Sequence, residues 1–166
     1  MTDNYAKIVQ DNLKRLYNNF PKDLAQNLPG EQDGEAFSFN ACSDVCVSKP
    51  LKAFKEFPDS MSYVGAFITH TEQLLVPRVD KIKKSVQMLI KTLNGKETPD
   101  GTGGNFSFIV YPLPKIALCY IFYEADDDFP ASVTCLYSNN AQLFLPVDGL
   151  ADVGEYCSKT ILKLIE

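Results

Sequence analysis

The sequence lacks the segments that direct a protein into a membrane or out of the cell. It begins Met-Thr-Asp-Asn-Tyr and runs into an amphipathic pattern, without the basic and apolar regions of a secretion signal. No apolar run is long enough to cross a bilayer. The five cysteines, an odd number in 166 residues, indicate reduced thiols rather than a disulfide framework. We therefore expect a soluble, cytoplasmic protein with no membrane partner.

The sequence also offers few groups that could carry out chemistry. His70 is the only histidine, and neither Ser nor Cys accompanies it in a recognised catalytic motif. The run from Gly101 to Gly104 lacks the Lys-Ser/Thr of a phosphate loop, and a strand rather than a helix is predicted after it. These patterns identify no catalytic residue and no cofactor, so an enzyme is the less favoured interpretation.

The sequence has fewer basic than acidic residues, 16 Lys and Arg against 21 Asp and Glu, which gives a formal charge of -5. Such an acidic chain repels phosphate backbones, so we expect no nucleic-acid partner. Hydrophobic residues make up 45% and charged residues 22% of the sequence, which excludes extensive disorder. The length is that of one ordinary domain, and residues 1–166 are expected to form it.

The N-terminal half predicts a helix, a hairpin and one ambiguous stretch. Apolar spacing indicates an amphipathic helix over residues 3–19, and turn residues indicate a surface loop over 27–34. Apolar and polar residues alternate from Phe37 to Ala41, which predicts a strand that pairs with a second one over 44–48. Residues 49–58 are predicted to be irregular or one helical turn. Over 60–75 a strand at 63–68 is favoured, although a helix through 66–75 fits nearly as well.

The C-terminal half is more strongly patterned. A helical stripe follows Pro77, a glycine-rich loop occupies 96–105, and an amphipathic helix closes the chain from Leu150 to Leu164. Three strands are predicted between them, over 106–111, 115–124 and 132–137. The fold class is therefore α+β: an antiparallel sheet with helices packed mainly on one face, ending in a β-hairpin and a C-terminal helix. If the last hairpin is symmetric about its turn, Cys119 faces Cys135 and Ile121 faces Val133.

Two residue groups could bind a cation. Cys42 and Cys46 form a Cys-x3-Cys pair that His70 or a lone cysteine could extend towards a metal site, although zinc and iron-sulfur sites normally need four ligands. Two buried thiols are the alternative. The acidic turn offers oxygen ligands for calcium or magnesium, but its spacing does not match an EF-hand; a solvated turn or a contact surface for a basic partner are the alternatives. It comprises Glu124, Asp126, Asp127 and Asp128.

The last third also resembles a family. Tyr-Pro-Leu-Pro-Lys-Ile-Ala-Leu from Tyr111, Tyr-Glu-Ala-Asp-Asp-Asp-Phe-Pro-Ala-Ser-Val-Thr-Cys-Leu-Tyr from Tyr123 and Leu-Phe-Leu-Pro-Val-Asp-Gly-Leu-Ala from Leu143 resemble a prokaryotic domain of unknown function, number thirty-seven eighty-six. The similarity is strongest from Tyr111 to Glu166. Some members are fused to iron-sulfur or corrinoid-related modules, so the resemblance implies an accessory role, but it supplies no catalytic residues.

We therefore expect an uncharacterised intracellular protein that acts as a noncatalytic binding or accessory domain. The alternative is a metal- or redox-linked accessory protein that uses Cys42 and Cys46. The sheet carries many aromatic residues, and core packing explains most of them. Others could line a pocket for a small molecule, contact a protein partner or form the interface of a homo-oligomer.

Overall fold

The computed structural model describes residues 30–33, 36–39, 50–98, 102–113 and 115–166. The chain forms two compact units, residues 1–41 and 42–166. In the first, strand β1 (Gly30–Asp33) pairs antiparallel with β2 (Ala36–Phe39). The predicted strand beginning near Phe37 is confirmed, but its partner was predicted as a loop. The predicted helix at 3–19 and strand at 44–48 lie outside the described residues.

The second unit is built on a five-stranded antiparallel sheet. The strands are β3 (Lys52–Ala53), β4 (Lys96–Glu97), β5 (Phe106–Leu113), β6 (Ile116–Tyr123) and β7 (Ser132–Tyr137). Their order in the sheet is β3-β7-β6-β5-β4. The three long strands are those predicted from β-branched and aromatic runs, whereas the two-residue edge strands β3 and β4 were predicted as irregular segments. The predicted antiparallel α+β class is thereby confirmed.

The predicted register of the last hairpin is wrong by one residue. Tyr120, not Cys119, lies opposite Cys135, and Phe122 lies opposite Val133. The Asp126 backbone N–H donates to the Phe129 carbonyl (2.9 Å), which places the centre of the turn between Asp127 and Asp128 rather than on Asp127. Because side chains alternate along a strand, this single step moves Cys119 to the opposite face from Cys135.

The ambiguous stretch is helical, so the favoured strand at 63–68 is wrong and the alternative helix is right. Helix α1 (Val64–Phe67) continues as a π-helix (Ile68–Gln73). Phe67 and Thr71 of this segment are buried, as is Leu75 just beyond it, and the three are spaced by four. A π-helix has more residues in each turn than an α-helix. Residues spaced by four therefore lie on the same side of the helix.

Two longer helices, α2 (Val79–Thr92) and α3 (Val147–Ile165), pack on the same face of the sheet as this segment. The predicted helical turn within 49–58 is a 3-10 turn at Phe54–Glu56. The core on the helical face includes the fully buried Phe108, Tyr120, Phe122, Tyr137, Ile82, Leu89, Leu150 and Ile161. The opposite face is also buried, at Ile109, Ala117, Cys119 and Ile121. Within the described ranges, no helix has the length and apolarity needed to span a bilayer.

Candidate functional site

The π-helix is the most unusual local feature of the described fold. In such a helix the backbone hydrogen bond spans five residues, a geometry that occurs frequently at functional sites. Its consecutive residues His70, Thr71 and Glu72 enter three different environments. His70 lines a groove against α3, Thr71 is fully buried, and Glu72 faces the outer edge of β7.

Glu72 closes part of an open sheet edge. Strand β3 pairs with β7 only at Leu136 and Tyr137, so no strand among the described residues lies beside the outward backbone groups of Cys135. The Glu72 Oε1 atom accepts a hydrogen bond from the Cys135 N–H at 2.9 Å. Burial raises the pKa of the Glu72 carboxyl, while the Cys135 amide and the charge of Lys55 act in the opposite direction.

A pocket of about 240 Å³ lies beside this carboxyl group, and we call it the Glu72 pocket. Phe54 and Phe67 stack with their ring centroids 4.2 Å apart and form one wall. The pocket is lined by Ala53, Phe54, Lys55, Val64, Phe67, Ile68, Glu72 and Thr134. It combines a mostly apolar lining with one carboxyl group whose pKa is shifted, a combination typical of small-molecule sites.

A buried hydrogen-bond chain fixes the π-helix on the sheet and on α3. The Ser158 hydroxyl donates to the Thr71 carbonyl (2.8 Å), which leaves the Ser158 oxygen to accept from the Tyr120 hydroxyl (3.0 Å). The Tyr137 hydroxyl donates to the Leu150 carbonyl (2.7 Å). These bonds satisfy polar groups in the core and hold three elements in one arrangement.

The three described cysteines are poor nucleophiles. Burial raises the pKa of Cys119 to about 12 and that of Cys157 to about 11, and it raises the pKa of Cys135 well above its ordinary value. Because the thiolate is the reactive form, these side chains are unreactive at neutral pH. Cys42 and Cys46 lie outside the described residues, and their metal or redox role stays a prediction.

His70 is exposed and lies in a groove whose far side carries Asp148, Asp152 and Glu155 of α3. In the part of the chain that the structure describes, no set of three or more His, Cys, Asp or Glu side chains is arranged to hold a metal ion. The proposed ligand role of His70 therefore stays a prediction.

The acidic turn is a structural unit in which two of the four carboxylates already have partners. Asp126 Oδ1 accepts from the backbone N–H groups of Asp128 (3.0 Å) and Phe129 (2.7 Å). Glu124 forms an ion pair with Lys83 of α2 at 2.7 Å. Asp127 and Asp128 are exposed at the tip. Whether the turn binds calcium, magnesium or a basic partner stays a prediction.

A comparison with protein families gives a match. A family model described as a domain of unknown function (DUF3786) matches residues 39–160, which is most of the chain. The chain belongs to DUF3786. The match confirms the resemblance seen in the last third and extends it through the five-stranded sheet. Comparisons with curated proteins and with solved structures gave no match.

The sequence did not single out Glu72 or Thr71 as functional residues of this DUF3786 domain. No motif surrounds them, and each acquires its role from contacts more than sixty residues away, with Cys135 and Ser158. The four-residue spacing of Phe67, Thr71 and Leu75 was the available signal. It indicates a wide helical turn but not which groups the turn brings together.

Proposed function

We propose that this domain is a noncatalytic binding domain and that a small, mostly apolar molecule occupies the Glu72 pocket. The observation that carries the proposal is the Glu72 carboxyl group, half-buried among apolar side chains with only one oxygen hydrogen-bonded. Desolvation without a full set of partners is unfavourable, and a ligand donor to Oε2 would relieve it.

The surroundings of Glu72 indicate the size and polarity of the ligand. A volume of about 240 Å³ is below that of typical drug-sized sites, so the ligand is a small ring or a short chain. The stacked Phe54 and Phe67 rings favour a flat apolar body. Lys55 contributes a positive charge near Glu72 and disfavours a cationic ligand there, which leaves an uncharged hydrogen-bond donor such as an amide.

The unreactive thiols support binding rather than catalysis. All three described cysteines are buried and have raised pKa values, so none supplies a thiolate near neutral pH. The rigid chain from Thr71 through Ser158 to Tyr120 supports a preformed site.

Two molecules of the same shape test the proposal. Benzamide donates N–H groups, whereas methyl benzoate presents a similar ring without a donor. In nitrogen-15 NMR titrations we expect benzamide to shift the amides of residues 53–55, 64–72 and 134 and methyl benzoate to bind there more weakly. Glu72→Gln keeps an acceptor for the Cys135 N–H but replaces the other oxygen by a donor, so it should abolish the preference for benzamide.

The Asp127→Asn variant is the matched control because it removes one exposed charge from a residue that does not line the pocket. Its preference for benzamide should equal that of the wild type. The proposal is wrong if neither molecule shifts the pocket amides, or if Glu72→Gln retains the preference.

A further inference from the structure

A second groove lies on the other side of Phe67 and differs from the Glu72 pocket in charge. It measures about 120 Å³ and lies between the α1 and π-helical segment and α3. Its lining residues are Tyr63, Ala66, Phe67, His70, Thr71, Asp148, Ala151, Asp152 and Glu155. We call it the Asp152 groove.

The three carboxylates of this groove are not equally engaged. Asp148 Oδ1 accepts from the Gly149 backbone N–H (2.9 Å), and Glu155 pairs with Lys159 at 2.5 Å one helical turn further along. Asp152 has no hydrogen-bond or ion-pair partner within the described part of the chain. Asp148 and Glu155 therefore have structural roles, whereas Asp152 is left with an uncompensated charge facing the groove.

Thr71 supplies an independent observation. Its side chain is fully buried in the lining of the groove, yet its hydroxyl has no hydrogen-bond partner. Threonine in a helix often donates to the carbonyl four residues earlier. Thr69 does so to Gly65 (3.0 Å), but Thr71, within the same π-helix, does not bond to Phe67. A buried, unpaired hydroxyl is rare and indicates a missing partner.

The uncharged part of the lining indicates what kind of cation fits. Tyr63 and Phe67 present aromatic rings, and Ala66 and Ala151 present small apolar surfaces. Apolar surface favours a cation that is attached to carbon. Among the residues that the structure describes, no three candidate ligands converge on one point as a bare metal ion would require.

We propose that the Asp152 groove binds the ammonium or guanidinium group of a small organic cation. The charge of the bound group is balanced by Asp152, its carbon chain lies between the two alanines and the aromatic rings, and Thr71 completes its hydrogen bonding from the floor. This site is separate from the Glu72 pocket and does not depend on the function proposed for that pocket.

Three four-carbon probes separate charge from shape: n-butylammonium, butan-1-ol and butyrate, each added at the same ionic strength. We expect only n-butylammonium to produce saturable shifts of the amides of residues 66–71 and 148–155. Asp152→Asn should weaken its binding by about two- to fivefold, the effect of one exposed charge pair. Asp127→Asn, which removes the same charge from the exposed turn, should leave the affinity unchanged.

Thr71→Val tests the floor of the groove. The substitution keeps the shape and removes a hydroxyl that bonds to nothing in the free protein, so the folded state should lose no stability. The affinity for n-butylammonium should fall by about tenfold, the loss expected for a hydrogen bond to a charged group.

Three results would overturn the proposal. The first is an absence of n-butylammonium shifts in the groove, and the second is equal shifts from butan-1-ol or butyrate. The third is an equal loss of affinity in Asp127→Asn and Asp152→Asn, because that would show attraction to the overall negative charge rather than to this groove. If Thr71→Val binds as tightly as the wild type, the hydroxyl has no part in the site and that element of the proposal is wrong.

Discussion

At the scale of single residues, the surroundings of Glu72 have opposing effects on its charge. Burial opposes its negative charge, whereas the Cys135 N–H and the nearby Lys55 favour it. Burial prevails, so the folded state binds a proton more readily than the unfolded chain does.

This raised pKa has a defined effect on stability. A carboxyl group whose pKa is higher in the folded state contributes most below its ordinary pKa of 4.5, and the contribution is lost as pH rises through the folded pKa. Glu72→Gln cannot lose a proton, so its stability relative to the wild type should increase from about pH 4 towards neutrality. Urea unfolding of both proteins across this range measures the difference. A constant difference, or one that declines with pH, would contradict the assignment.

The buried hydroxyls predict an order of mutational cost. Ser158→Ala removes the hydroxyl donor to the Thr71 carbonyl and leaves the Tyr120 hydroxyl only its longer contact with the Gly154 carbonyl (3.5 Å), so it should cost about 2 kcal/mol in the free energy of unfolding. Tyr120→Phe removes one end of the chain and leaves the Ser158 to Thr71 bond intact, so it should cost about 1 kcal/mol. Denaturant unfolding of the two variants gives the comparison. Equal costs, or the reverse order, would contradict the proposed direction of the bonds.

At the scale of elements, the contact between α1, the π-helix and α3 depends on a glycine. A β-carbon built on Gly154 would lie 2.7 Å from both the Phe67 ring and the Tyr137 hydroxyl oxygen, and 3.1 Å from Thr71 Oγ1. The close approach of these elements therefore requires the absence of a side chain at this position.

Two glycine-to-alanine variants should consequently have opposite effects. Gly154→Ala introduces a clash in the core and should lower the free energy of unfolding by about 1 to 3 kcal/mol. Gly65→Ala, on the exposed side of α1 with no atom within 4 Å of its new β-carbon, should raise it by about 0.5 to 1 kcal/mol. Thermal unfolding of the pair tests this, and a stabilising Gly154→Ala would show that the segments are less tightly packed than described.

The elements that could be predicted are those whose formation is determined by residues close together in the sequence. The long strands are runs of β-branched and aromatic residues, and α2 and α3 have clear apolar periodicity. In contrast, β3 and β4 are only two residues long and exist because a longer strand lies beside them. The predicted register of the hairpin was wrong because the register depends on the centre of the turn. That centre is fixed by one backbone hydrogen bond, between Asp126 and Phe129. The π-helix was ambiguous because its β-branched residues favour a strand while its four-residue spacing favours a helix.

At the scale of the whole second unit, the sheet separates the three described thiols between two buried faces. Cys135 and Cys157 lie in the core on the helical side, and Cys119 lies on the opposite side. The face on which each cysteine lies could not be predicted from composition, because a shift of one residue in the hairpin register changes which cysteine faces the helices. The candidate pockets were equally inaccessible to sequence reasoning, since their walls come from segments that meet only in the folded chain.

This arrangement predicts strong protection of all three thiols. Alkylation by iodoacetamide at neutral pH, followed by mass spectrometry of the digested chain, should leave Cys119, Cys135 and Cys157 unmodified until urea unfolds the protein. Labelling of any one of them in the native protein would show that its face of the sheet opens to solvent.

The two-residue length of β3 has a consequence for the behaviour of the protein at high concentration. Unpaired strand edges recruit other chains, and natural proteins often guard them with a charge. Beside Cys135 that guard is the Glu72 carboxylate, because β3 ends before reaching this position. A substitution at Glu72 by an apolar residue could leave the folded monomer intact and still shorten its storage life, since the exposed backbone would be free to seed intermolecular sheets.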